Sequence, residues 1–331
     1  PAWEWVLAIC AAGRASPVYV NGKISIVYQY RDAHSQGSVS VPAKAATQLF
    51  TSGNLEKFNV QWLPRANRPT AFVYQYTNEG ENYRQDVLTV EDAEGSLNDP
   101  TELHQDVYRP EQQQAYGVVR SAQLFRDGVF RHRINRLVKR KVDFQTGRWA
   151  LAAQVGDLIE IETEVMRPFD SDIPTSGAVV LGGVNVTSIT VDHTSLPSSG
   201  QIKFRQPDGT PGTATWSGTG TATVDGVAVT ELLLLSSVTV DKGAACVFGS
   251  VDKLVETYEI VNISLNEDLT RAVTALQWVP EVHDDIAPAT FTDGSAVGTL
   301  VNAISRSRAE QLVMTPVALG LGLLALVVAM S

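Results

Sequence analysis

Only two cysteines, Cys10 and Cys246, occur among the 331 residues. Isolated in this way they fit no metal or disulfide framework and read as buried, reduced thiols suited to a reducing cytoplasm. Positive charge is also scarce, with 26 basic residues against 36 acidic ones and a formal charge of −10. That balance argues against binding nucleic acid by neutralising phosphates, although negative walls would suit a protein that DNA slides past. No secretory leader is expected, because the apolar opening PAWEWVLAICAAGR carries Glu4 and lacks a basic n-region. The chain begins with Pro1 instead of Met, which reads as a segment of a longer polypeptide. Nucleophile elbow, phosphate-cradling Gly-Lys loop and zinc spacing are all missing. The sequence therefore gives no catalytic, metal or cofactor site to assign.

What is present suits a folded protein. An apolar fraction of 44% and a charged fraction of 19% support two or three domains with their own cores. Trp3, Val6, Leu7 and Cys10 recur at helical spacing before a stop at Gly13. VYVNGKISIVYQYRD places Asn21-Gly22 between two apolar runs, a strong hairpin signal. Phe72, Tyr74 and Tyr76 alternate ahead of a polar turn and then Val87 and Val90, suggesting a second hairpin. From Pro110 the spacing of Ala115, Val118, Val119, Ala122, Phe125 and Val129 predicts a helix, weakened at Gly128. RLVKRKVDFQTG and GDLIEIETEV then read as strands. Residues 176–250 are β throughout, with turns at Asp208-Gly209 and Asp225-Gly226, and predict a compact barrel or sandwich. Another strand pair surrounds Asn266-Glu267-Asp268, and the sequence loosens into a linker after Pro280.

Two acidic groupings stand out, His283-Asp284-Asp285 and Asp170 with Asp172. Adjacent carboxylates in polar stretches are usually solvated, and catalytic carboxylates converge from separate elements. The basic stretch from Arg120 to Lys141 is more informative. Arg131, Arg133, Arg136, Lys139, Arg140 and Lys141 give it one sign of charge within an acidic chain. A solvated face is the plain reading. The alternative is a partner, either DNA or, favoured here, acidic groups on a neighbouring subunit that suit arginine forks.

Four stretches in order resemble the tail tip attachment family of long-tailed bacteriophages, the central tail hub or host specificity protein J. They are NGKISIVYQYRDA, the segment from TQLFTSGNLEKFNVQW to QDVLTVED, RHRINRLVKRKVDFQTGRWALAAQVGDLIEIE, and VDKGAACVFGS through ETYEIVNISLNEDLTRAVTALQWVPEVHDDI. The likeness covers about residues 1–285. Gln154-Val155 stands where the family has Pro before Gly156-Asp157, and Trp278 where Tyr is usual.

The resemblance implies a β-rich α+β, multidomain virion protein, with β-barrel-like and mixed hub domains. Residues 1–109 would form the first hub domain, and 110–175 with 251–285 the second. An OB-like β domain would be inserted at 176–250; the linker at 286–310 and the apolar helix at 311–331 lie beyond the likeness and are read from the residues alone. The implied function is a structural, non-enzymatic homotrimer closing the tail tube. Its partners would be other tail tip and tube proteins, a central fibre or spike, the host envelope on infection, and DNA passing without specific binding. Assembly in the bacterial cytoplasm would place it in the virion. A carbohydrate-binding protein, with Trp216 as a sugar platform, and a membrane-anchored envelope protein are the alternatives.

The segment from Gln311 to Ser331 carries no charge. As a helix it would span about 30 Å, close to a bilayer's hydrocarbon core. Leu321, Leu323, Leu324, Leu326, Val327 and Val328 make it apolar all round, so it must be enclosed. An axial bundle of three copies, released into the host membrane on attachment, is the expectation for this end.

Overall fold

The computed structural model describes residues 2–20, 22–36, 38–64, 68–91, 109–162, 175–193, 196–249 and 254–284. The expected linker at 286–310 and apolar helix at 311–331 lie outside them, as do Asp170, Asp172 and Asp285.

The chain opens with α1 (Ala2–Ala12), β1 (Ala15–Val20), β2 (Lys23–Tyr28), β3 (His34–Gln36), β4 (Val39–Val41), β5 (Ala46–Phe50) and β6 (Glu56–Trp62). Next come β7 (Ala71–Asn78), β8 (Arg84–Glu91), β9 (Pro110–Gln114), α2 (Ser121–Leu137), β10 (Arg140–Thr146) and β11 (Leu158–Ile161). The following stretch holds β12 (Thr175–Leu181), β13 (Gly183–Val191), β14 (Gly200–Arg205), β15 (Pro211–Val224), β16 (Val227–Val240) and β17 (Ala245–Gly249). It ends with β18 (Glu256–Leu265) and β19 (Arg271–Gln277).

Packing divides the chain into two units. Among the described residues, one takes those within Pro1–Gly13 and Ala66–Asn135 together with Asp284; the other takes those within Arg14–Arg65 and Arg136–His283. The division expected at residue 109 is not the one that packing follows. Strands β5 and β6, from the expected first domain, pair with β11 and β10 of the expected second.

In the first unit a sheet of order β8-β7-β9 carries the core Phe72, Tyr74, Tyr76, Leu88, Val90, Leu124 and Val129. The β7 alternation expected from the sequence buries all three aromatic rings on one face. The helix predicted from Pro110 begins only at Ser121, because Pro110–Gln114 pairs parallel to Ala71–Gln75. Its glutamines have little apolar surface to bury in a helix, and the β7 backbone satisfies their amides instead. The same helix runs to Leu137, two residues into the stretch read as a strand from Arg136. Gly128 sits in mid-helix for a steric reason: a Cβ there would meet Val90 Cβ at 2.7 Å and both its methyls under 3.0 Å. Absence of a side chain lets α2 lie directly on β8, and His132 Nε2 adds a hydrogen bond to Val90 O at 3.0 Å.

The α1 stripe is only partly buried. Cys10 faces the interior, whereas Trp3 is 45% and Leu7 43% exposed.

In the second unit a six-stranded sheet has the order β5-β11-β18-β19-β10-β6. Only β5 and β11 are parallel. Phe50, Phe144, Ile159, Ile161, Tyr258, Ile260 and Val273 fill its core. Between the neighbours β11 and β18 the chain makes a closed barrel of order β12-β13-β16-β15-β14-β17. Six strands close it, one more than the five of the OB pattern that the resemblance implies. Trp216, Phe204, Phe248 and Leu232 lie at its centre. The Asp225-Gly226 turn has both residues at positive φ, 51° and 82°, the type I′ geometry that matches strand twist.

Candidate interaction surface

The six basic residues singled out by sequence fall on two elements in different units. Arg131 and Arg133 are on α2 in the first unit; Lys139, Arg140 and Lys141 lie on and just before β10 in the second, after Arg136 in the last turn of α2. Arg131 Nε donates to Asp127 Oδ2 at 2.8 Å, one helical turn back. Arg133 Nη1 donates to the carbonyl of Asp284 at 2.5 Å. Arg140 Nη2 pairs with Glu256 Oε1 at 2.7 Å while its guanidinium lies 5.3 Å from the Trp62 ring centre. Glu256 in turn accepts from Tyr258 OH at 2.7 Å. Lys141 pairs with Asp143 Oδ2 at 3.1 Å. The charge that marks this stretch in the sequence is therefore partly neutralised within the chain, by residues as distant as Glu256.

Apolar surface was the feature the sequence reading missed. In the β1–β2 hairpin, Tyr19 faces Ile24 and Pro17 faces Ile26 across the strands, so all four share one side. Tyr19 is 75%, Ile24 61% and Ile26 59% exposed. The opposite side is the packed one, with Val27 so close to Gly156 that a Cβ there would lie 2.2 Å from a Val27 methyl. A signal was present: PVYVNGKISIVY is apolar at both parities, and a hairpin needs apolar residues on both faces only if both are covered. On α1, Trp5 and Ile9 are likewise exposed, with Trp5 edge-on to Tyr116 at 5.5 Å.

Other groups are structural in their contacts. Tyr74 OH donates to Asp127 Oδ2 at 2.7 Å beside a cavity of about 100 Å³ lined by Ala8, Ala11, Gln114 and Arg131. Burial, and then the Asp127 charge, raises the Tyr74 hydroxyl far above its usual range. Burial also pushes the Cys246 thiol up, away from thiolate chemistry. His283 stacks on Trp278 at 4.2 Å, and Lys44 Nζ lies 5.0 Å from the Trp278 ring centre while pairing with Glu259 at 2.7 Å. Trp278, where the resembled family has Tyr, thus serves as a platform for a cation. Among the described residues no three His, Cys, Asp or Glu side chains gather as metal ligands. Trp216, the expected sugar platform, is fully buried with its Nε1 donating to Pro197 O at 3.1 Å. It cannot stack on a ligand.

No family model matches the chain. Among solved structures it is similar to a tail protein from Neisseria meningitidis MC58, at 12% identity and a TM-score of 0.31. The match covers 77% of this chain and 54% of that one, so the chain spans about half the length of that protein. A score of this size establishes no shared fold, and the functional reading rests on the ordered sequence motifs and the chain's own geometry.

Proposed function

We propose that this chain is a structural protein of a phage tail tip, a homotrimeric hub that closes the tail tube and carries a central fibre or spike. One observation carries the reading beyond the sequence motifs. Three of the four resembling stretches, far apart in the chain, supply β5 and β6, β10 and β11, and β18 and β19, and these interleave into one sheet. These parts of the motifs therefore share one sheet, while β7, β8 and most of α2 from the same stretches belong to the other unit. An inserted barrel leaves that sheet at β11 and returns at its neighbour β18.

In this reading the work is done by complementary surfaces and no residue is catalytic. The exposed Tyr19, Ile24 and Ile26 face is the kind of patch that an obligate interface covers. An acidic lumen would let DNA pass without adhering. With Trp216 buried, the carbohydrate alternative loses the residue that motivated it. Among the described residues no helix is long and apolar enough to cross a membrane, and the anchored alternative turns on 311–331. Sedimentation of the full chain at micromolar concentration should give a trimer, and virion tips should show three-fold symmetry. A purely monomeric chain together with another tip symmetry would overturn the proposal.

A further inference from the structure

Two arginines share one indole. Arg148 and Arg205 place their guanidinium carbons 5.1 and 4.7 Å from the ring centre of Trp149. Both distances fall within cation–π range. The two charges are therefore within about 10 Å of each other, comparable to the screening length of 0.1 M salt. Trp149 comes from the 3-10 turn Arg148–Ala150 and packs on the core of the six-stranded sheet. Arg205 ends β14, where the barrel meets the edge strand β5, and its Nη2 donates to buried Gln48 at 3.2 Å.

Like charges in contact with one ring repel unless an anion answers them. Lys203, two residues earlier on β14, has its own carboxylate, Glu160 at 2.6 Å. No described carboxylate forms such an ion pair with Arg148 or Arg205. Asp208, on the adjoining turn, acts on Arg205 through space, but its Oδ1 is taken by the Thr210 amide and hydroxyl at 3.0 and 2.7 Å. The Arg205 Nε is buried, and no described residue accepts its hydrogen bond. Burial disfavours the charged guanidinium here, with Arg148 adding to the effect.

We propose that Arg148 and Arg205, held on Trp149, form a carboxylate-binding site for an acidic side chain of a neighbouring copy of the chain. Planar guanidinium forks fit carboxylates in two-point contacts, and a chain of net charge −10 brings an excess of them to any self-contact. The inference rests on the self-assembling hub reading and assigns one of its contacts to a place the basic stretch at 131–141 does not include.

The test uses the full chain at low salt, with hexaglutamate as probe and sedimentation velocity for self-association. Arg148→Gln and Arg148→Glu alter an exposed side chain, and Arg205→Gln is a second probe of the same site. Loss of a charge-assisted contact should weaken hexaglutamate binding and self-association about tenfold or more. Equal hexaglutamate binding by wild type and both Arg148 variants overturns the site, and so does self-association that Arg148→Glu leaves unchanged. Binding of a single-stranded oligonucleotide through Arg148 with none of hexaglutamate also overturns it, in favour of phosphate. A monomeric wild type refutes the hub separately; Arg148-dependent hexaglutamate binding then still upholds the carboxylate site.

Discussion

Gly128→Ala sets helix propensity against packing at a single position. In an exposed helix the change would stabilise by about 1 kcal/mol. Here the new methyl carbon would meet Val90 Cβ at 2.7 Å and its two methyls at 2.8 and 2.9 Å. Val90 is 1% exposed, belongs to the unit's core and, being β-branched, cannot swing its clashing Cβ away by rotation. Overpacking of this kind costs about 1–3 kcal/mol, and a clash with a fixed Cβ belongs at the upper end. The net expectation is destabilisation by about 2 kcal/mol, felt where α2 meets β8. Hydrogen exchange of the α2 and β7 amides reads this locally in the full chain. Exchange should accelerate roughly 30-fold, since 1.4 kcal/mol is a factor of ten. In a Val90→Gly background, which removes all three clashing carbons, the alanine should instead slow exchange relative to glycine. Slower exchange in the single Gly128→Ala variant would show that β8 yields easily and that propensity wins, refuting the close-approach argument.

Ile24→Asp with Ile26→Asp should leave the chain folded, because both side chains are exposed, yet abolish its self-association in sedimentation. Tyr76 governs an alkaline limb: burial, then the charge of Asp86, raises its hydroxyl to about 12, above the value of 10.0 for the free side chain. Its contribution is complete below pH 10 and is lost as pH rises towards 12, because the unfolded chain ionises first. Tyr76→Phe should therefore flatten the fall in urea midpoint between those values, and an unchanged slope would discount the group. Gly226→Ala, at φ 82° in the Asp225-Gly226 turn, should cost about 1 kcal/mol by urea denaturation.

Local features of the fold were legible because their causes are local. Asp225-Gly226 specifies a tight turn from two residues, and the Phe72-Tyr74-Tyr76 alternation specifies its own buried face. Pro110–Gln114 was misread because its partner, β7, is distant in sequence and binds it through backbone groups that side chains do not advertise. Gly128 looked like a weakness in a helix, since the reason for it is Val90 on another element. The partners of the basic stretch were hidden in a related way. One-signed charge in sequence says nothing of Glu256, which reaches Arg140 only because β18 and β10 both flank β19. Neither could the pairing of Arg148 with Arg205 be seen, as it requires the barrel to lie against the sheet that carries Trp149.

The barrel's first and last strands, β12 and β17, are hydrogen-bonded neighbours, with Thr175 opposite Phe248. Once closed, the barrel holds its two chain ends side by side. Pairing β11 with β18 then bridges only short joining segments instead of the whole intervening chain. Each doubling of a loop costs about 0.6 kcal/mol, so a finished barrel removes part of the entropic barrier to the sheet. Barrel closure before β11–β18 pairing is the order this entropy favours. The same arrangement joins the barrel to the sheet at two adjacent chain ends, as an inserted cassette is joined, with Lys203–Glu160 and Arg205–Gln48 tying the two together.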